Sequence, residues 1–275
     1  MSGRKLVFFV TGASTGIGRA VAEAAARAGH PVFATARRPG TMADLASGIE
    51  TLALDVTDPA SIARAVAEAI GRRGRIDVLV NNAGFGQMGT VEDIPMAAWR
   101  AEYDVNVFGL LETTKAVLPT MRAQRSGYVV NMGSIAGRIA YPFGGAYCSS
   151  KFAVEAISDA LRLEVEPFGI RVVLIEPGAI RTRFNDRVER EVDPLVHDEK
   201  SPYHHRYESA FVRFRKESSL GALPADAVAR VVMRAVGKRK PRARYLVTTP
   251  AKVFAFAKRF VPDAVLDAAM RSKFR

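Results

Sequence analysis

The chain has 275 residues, 48% of them hydrophobic, enough to bury one substantial core in a single domain. Its only cysteine is Cys148, which excludes an intramolecular disulfide and a cysteine-based zinc cluster, and no apolar run reaches the roughly 18–20 residues of a membrane span. The formal charge is +12, but residues 238–275 hold eleven Lys/Arg against Asp263 and Asp267; with no helix-turn-helix or aromatic-interleaved pattern beside it, this basic tail does not point to nucleic acid.

The opening residues run straight into an apolar strand pattern rather than a cleavable signal, so a cytoplasmic location is expected. Strands are predicted at 6–10, 31–36, 51–54, 77–80, 128–132, 171–175 and 245–248, and helices near 17–28, 59–72, 96–122, 146–166 and 224–236. Strands that are apolar on both faces and separated by helix-length segments pair in parallel, with helices covering each side. The expected fold is therefore α/β, a doubly wound parallel sheet of Rossmann type in one domain. Residues 183–220 break the alternation, are rich in charge and hold three of the four histidines, and are read as a substrate lid insertion. Residues 249–275 form a basic C-terminal extension.

The first strand is followed by Thr11-Gly12-Ala13-Ser14-Thr15-Gly16-Ile17-Gly18, which opens an Ala-rich helix. Glycines let the backbone approach a pyrophosphate, whose charge the helix start favours. Taken alone this spacing also suits an ordinary glycine-rich turn, and its place between strand and helix is what favours a dinucleotide. After the second strand come Arg37 and Arg38 where an acidic residue would bond a ribose 2′-hydroxyl. Guanidinium groups there favour a 2′-phosphate, hence NADP(H), with NAD(H) as the alternative. Asp55 and Val56 after the third strand, and Asn82, Ala83 and Gly84 after the fourth, lie where open α/β sheets bind ligands, although Asn-Asn-Ala-Gly is equally a turn sequence.

Asn106 sits inside a predicted helix that gives no local reason for it, and its amide can hold water or backbone near Lys151. Ser134 closes the fifth strand, thirteen residues before Tyr147. There its hydroxyl can bond a substrate oxygen, or simply cap a turn. Tyr147 and Lys151 are four residues apart and share a helix face. A neighbouring ammonium and a cationic nicotinamide both favour a phenolate, which would tune Tyr147 as a proton donor and acceptor, though such a pair also arises by chance. His204 and His205 have no matched ligand partners and are read as lid residues; no metal is expected.

In this order these segments resemble the short-chain dehydrogenase/reductase family over residues 5 to about 182, extending to 248: TGxxxGIG at 11–18, NNAG at 81–84, Asn106, Ser134, the YxxxK pair Tyr147 and Lys151, and Pro177-Gly178. The resemblance implies hydride transfer between a nicotinamide and an alcohol or carbonyl carbon. Ser134 would polarise the carbonyl, Tyr147 transfer the proton, Lys151 lower its pKa and hold the ribose, and Asn106 support a proton relay. Pro177, Gly178, Ile180 and Thr182 would contact the nicotinamide. A looser likeness to 17β-hydroxysteroid and retinol dehydrogenases runs through Ala34–Pro39 and Arg244–Thr248.

Ile135, Gly137, Tyr141, Phe143 and Phe184 are expected around the reactive oxygen and suggest a hydrophobic small-molecule alcohol or ketone of steroid, retinoid or fatty-chain type. The alternatives are a 3-oxoacyl-thioester reductase and a dinucleotide-sensing protein without turnover. The tail is expected to pack on the domain or a subunit neighbour, with contact at an anionic membrane surface as the other possibility. Helices 96–122 and 146–166 are where the family forms homodimers or homotetramers.

Overall fold

Nine strands appear in the computed structural model, which describes residues 4–219, 221–258 and 260–273. In chain order they are β1 (Phe8–Val10), β2 (Val32–Ala36), β3 (Ile49–Ala53), β4 (Val78–Asn81), β5 (Gly127–Met132), β6 (Ile170–Glu176), β7 (Ile180–Arg181), β8 (Leu223–Pro224) and β9 (Arg244–Leu246). Seven of them make one all-parallel sheet in the order β3-β2-β1-β4-β5-β6-β9. The chain winds outward from β1 to β3, then returns to β4 on the other side of β1. That reversal opens a crevice beyond the carboxyl ends of the strands.

The alternating side chains of each strand feed two cores. Phe8 and Val10, with Val32, Val78, Val130 and Val173, face helices α1 (Gly16–Arg27) and α8 (Ala225–Val236). On the opposite face Phe9, Phe33, Leu79, Val129 and Val172 meet α2 (Pro59–Arg73) and α4 (Gly109–Gln124). Local chemistry sets the helix ends: Asp58 accepts from Ala60 N at 2.9 Å with Pro59 in the first turn, and Gly74 closes α2 at φ +70°.

The expected helix at 96–122 is α3 (Met96–Tyr103) and α4 joined by a wider π turn over Asp104–Phe108. Asn106 lies in that turn, where its side chain is carried inward. Residues 183–220 hold two helices, α6 (Phe184–Val196) and α7 (His204–Ser219). Val188, Val192 and Tyr207 are buried between them and Met88, while charges at helical spacing cover the outer face. Both ends of the segment are pinned by β7 and β8, paired through Ile180↔Leu223 and Arg181↔Pro224.

The strand expected at 245–248 ends at Leu246, because Thr248 turns to cap α9 (Thr249–Ala257), accepting from Ala251 N at 3.3 Å. Lys258 then donates to the Arg138 carbonyl and lies over Phe152, which holds the tail against the domain. Asp263–Lys273 forms α10. Among the described residues no helix is long and apolar enough to cross a membrane.

Behind the edge of the sheet two carboxyls lie together. Glu176, fully buried on β6, pairs with Arg138, and Glu155 on α5 (Gly145–Val165) accepts from Arg244 Nε at 3.0 Å. Burial, and the Glu176 carboxyl beside it, push Glu155 from 4.5 up to about 7. A folded state that holds a proton more tightly than the unfolded chain is most stabilised below the unfolded pKa. It loses that contribution as pH rises toward 7. Between roughly pH 5 and 8 the Tm of the wild type should therefore fall relative to that of Glu155→Gln by about 3 °C. Parallel melting curves across that range would contradict a proton held by Glu155.

Candidate active site

The crevice at the strand reversal is a cavity of about 800 Å³. Its cofactor-facing end is built from hydrogen bonds between β1 and β4. Thr11 Oγ1 accepts from the amides of Asn82 and Ala83 at 3.0 Å each, and Asn82 Nδ2 donates to the carbonyls of Thr11 and Gly12, also at 3.0 Å. The Asn-Asn-Ala-Gly segment is thus the clasp of the glycine turn. Gly12 and Gly16 have φ of +65° and +60°, and a Cβ on Gly12 would come within 2.9 Å of Ala83 Cα. Thr15 precedes α1 without a side-chain cap, which leaves the leading amides of the helix to an anion. This cradle fits a dinucleotide pyrophosphate.

Nearly every residue expected to hold the cofactor lines the cavity: Gly12, Ser14, Thr15, Gly16 and Ile17; Arg37 beyond β2; Asp55 and Val56 beyond β3; Asn82, Ala83 and Gly84 beyond β4; Pro177, Gly178, Ile180 and Thr182 beyond β6. Gly18 is the exception. It packs beneath the turn, where a Cβ would overlap the Asn82 amide and the Gly12 carbonyl, so its contribution is to let the helix approach the strand. One oxygen of Asp55 is already engaged, accepting from Thr57 N at 3.0 Å and Thr57 Oγ1 at 2.8 Å.

At the other end of the cavity the sheet edge and α5 bring three side chains together. Ser134, at the end of β5, accepts from Ala136 N at 3.1 Å and so caps a turn, and its hydroxyl is near enough to the Tyr147 phenol to favour the phenolate. One helical turn past Tyr147, Lys151 Nζ donates to the Met132 carbonyl at 2.9 Å and lies 5.8 Å from the Tyr147 ring centroid. The ring also packs on Phe184, with centroids 5.4 Å apart.

The electrostatics differ from expectation. Burial raises the Tyr147 phenol above its ordinary value, and the neighbouring Ser134 hydroxyl is what opposes it, not Lys151. The ammonium is itself desolvated, which pushes Lys151 down to about 8. In the protein alone Tyr147 is therefore held as the neutral phenol.

Asn106 does not reach Lys151. Its carboxamide accepts from Phe85 N at 3.0 Å and donates to Phe85 O at 2.8 Å, Glu102 Oε1 at 3.1 Å and Ser150 Oγ at 3.1 Å. It thereby fastens the loop after β4 to α3 and α5. Ile135, Tyr141, Phe143 and Phe184 line the cavity, but Gly137 lies behind it, against the Lys151 carbonyl and Glu155.

Two residues were missed in the sequence. Arg187 on α6 lines the cavity with its guanidinium 3.6 Å above the Phe85 ring, and Glu102 is fully buried beside Asn106. Glu102 carried a signal, an acid one helical turn before Asn106 on the same face. Arg187 carried none, because the segment 183–220 gave no register.

A family model for short chain dehydrogenase matches residues 6–193. The chain is 36% identical over 270 residues to a 3-ketodihydrosphingosine reductase of Bacteroides thetaiotaomicron, covering 96% of each chain. It is 35% identical over 269 residues to an NADPH-dependent 3-dehydrocapnine reductase of Ornithobacterium rhinotracheale, covering 94% of this chain and 93% of that one. The crystal structure of a short-chain dehydrogenase from Streptomyces avermitilis superposes with a TM-score of 0.78 at 33% identity, over 98% of this chain and 96% of the other. The chain belongs to the short-chain dehydrogenase/reductase family of oxidoreductases.

Proposed function

We propose that this protein uses NADPH to reduce a ketone on a long-chain, lipophilic small molecule. The observation that carries the reading is the convergence of Ser134, Tyr147 and Lys151 at one end of a cavity whose other end is the glycine turn and Arg37. The dinucleotide supplies the hydride. Ser134 holds the carbonyl oxygen, Tyr147 gives it a proton as negative charge develops there, and Lys151 binds the ribose and supplies positive charge. Asn106 keeps the loop that carries Phe85 against α5, and so shapes the path by which the proton is replaced. Pro177, Gly178, Ile180 and Thr182 bound the nicotinamide pocket.

NADP(H) is preferred over NAD(H) because Arg37 stands where a ribose-binding acid would be. A fatty-chain ketone is preferred over a steroid or retinoid. The two relatives are named as reductases of 3-ketodihydrosphingosine and of 3-dehydrocapnine, and the wall beyond Tyr147 comprises Met88, Phe143, Phe184, Phe211 and Phe214. A 3-oxoacyl thioester is the second reading, since Arg183 and Arg213 also line the cavity and suit an anionic carrier arm. The convergence of Ser134, Tyr147 and Lys151 disfavours a sensor without turnover. A cytoplasmic homodimer or homotetramer, joined through the exposed Phe108 and Leu163 beside α4 and α5, completes the proposal.

The test is NADPH oxidation with 3-ketodihydrosphingosine and shorter-chain homologues. The value of kcat/KM should rise about three- to fourfold per methylene until the apolar wall is covered. A flat dependence on chain length, or faster turnover of steroid ketones, would overturn the substrate assignment.

A further inference from the structure

Two features of the C-terminal region have no part in the site described above. The first is apolar. Val253, Phe256 and Phe260, on and just beyond α9, are 61%, 66% and 72% exposed, and the Phe256 and Phe260 rings pack together with centroids 5.3 Å apart. Val265, early in α10, is exposed as well. Apolar side chains scattered singly over a surface are ordinary, whereas a cluster of this kind marks a contact surface. The face is held in place: Ala251 and Ala255 are buried beneath α9, Thr248 caps it, and Lys258 donates to the Arg138 carbonyl at its far end.

The second feature is charge. Beside α9, α8 and β9 form an open groove whose charged lining is Arg230, Arg234, Lys238, Arg242, Arg244 and Lys252. Among the described residues no acid lines it, and of the six cations only Arg244 has carboxylate partners, Glu155 and Asp159. Lys252 joins the two features, since it lines the groove and precedes Val253 on α9. Residues 249–275 add six Lys/Arg against Asp263 and Asp267. Like charges gathered this way repel one another, and an anionic surface relieves the repulsion.

A soluble acidic protein would suit the groove and leave the rings in water. A second copy of this chain, docked through the same patch, would set cations against cations. A bilayer with anionic headgroups answers both features, because the headgroups meet the basic residues while the rings enter the interface. The position of the patch gives such a contact a use. Phe254 on α9 and Met270 on α10 line the cavity that holds Tyr147, so the patch borders that cavity.

We propose that this face seats the protein on an anionic bilayer, with the substrate cavity opening toward the leaflet. The seat stands on the exposed rings and the cationic groove; its use for taking up substrate rests on the lipophilic ketone proposed above.

The test is flotation of the full-length protein, with NADPH, on vesicles of equal parts phosphatidylcholine and phosphatidylglycerol. The wild type should float with them, bind pure phosphatidylcholine vesicles at least about tenfold more weakly, and come off as salt is raised. Phe256→Ser with Phe260→Ser, and separately Arg230→Gln with Arg234→Gln, should each weaken binding by about tenfold. None of these four residues lines the Tyr147 cavity, so reduction of a short-chain ketone in solution should stay within about twofold. If a variant misfolds, Phe256→Trp replaces it: its emission should shift to the blue on the mixed vesicles, beyond any change in the parent, whose only tryptophan is Trp99.

A wild type that does not float overturns the proposal. So does binding that ignores phosphatidylglycerol, or binding that survives the loss of both rings undiminished. Dimers in solution that dissociate on loss of the rings would give the face to a second copy, and overturn it too. 3-Ketodihydrosphingosine carried in the mixed vesicles separates the seat from the substrate reading. Its turnover should fall about tenfold without the rings. If the wild type floats and reduces no long-chain ketone, the substrate reading fails and the seat stands. If it reduces the dispersed ketone and does not float, only the seat fails.

Discussion

Tyr147→Phe should lower ketone reduction by about a thousandfold, within the range of 10²–10⁴ that a positioned acid contributes, and leave the affinity for NADPH within about twofold. The substitution removes one oxygen and keeps the ring that packs on Phe184, so the cavity wall and the Tm should be preserved. What is lost is the hydroxyl beside Ser134 that delivers a proton to the carbonyl oxygen. The pH dependence follows from the same burial. With the phenol raised above its ordinary value, Tyr147 stays protonated through neutral pH, and reduction should persist until Lys151 begins to lose its proton near 8. Alcohol oxidation needs the phenolate and should accelerate by up to tenfold per unit as pH rises. The checks are steady-state turnover in both directions and NADPH titration by fluorescence. A Phe variant with unchanged turnover would remove Tyr147 as the proton donor.

Arg37→Ala should weaken NADPH binding by about 10–100-fold, or about 1.4–2.8 kcal/mol, and change NADH binding by less than about twofold. The reason is local. Ala36 and Arg37 line the cavity where β2 ends, and Asp55, the one acidic residue lining that end among the described residues, has an oxygen engaged by Thr57. A 2′-phosphate therefore meets a guanidinium, while a 2′-hydroxyl meets no carboxylate placed to accept from it. The NADPH advantage should shrink as salt is raised, since part of it is screened charge attraction. Arg37→Asp should reverse the preference by supplying the missing acceptor and repelling phosphate. Equal losses for the two dinucleotides in Arg37→Ala would take the phosphate contact away from this residue.

The central sheet was legible because both faces of its inner strands are buried. Runs such as Leu6–Val10 and Arg171–Ile175 therefore stand out as continuous apolar segments between helix-length spacers. The glycine turn, Arg37, Ser134, Tyr147 and Lys151 were legible for another reason: each sits at the carboxyl end of a strand or the first turn of the helix that follows, where chain position dictates location. The segment 183–220 was harder. Its apolar stripe of Val188, Val192 and Tyr207 is split between two helices and diluted by arginine and glutamate, so its helical period was hidden until the two faces met over Met88.

The amino-acid order by itself determined the layering of the domain, the strand-end positions of the cofactor cradle and the spacing of the Tyr147–Lys151 pair, because these depend on periodicity and on neighbours a few residues apart. Only the tertiary structure decided the charge state of the site. It desolvated Lys151, joined Asn106 to Phe85, Glu102 and Ser150, and buried Glu102 among groups from three elements far apart in the chain. Ionisation depends on the dielectric and on the charges within a few ångströms, and neither exists until distant segments have closed around the group.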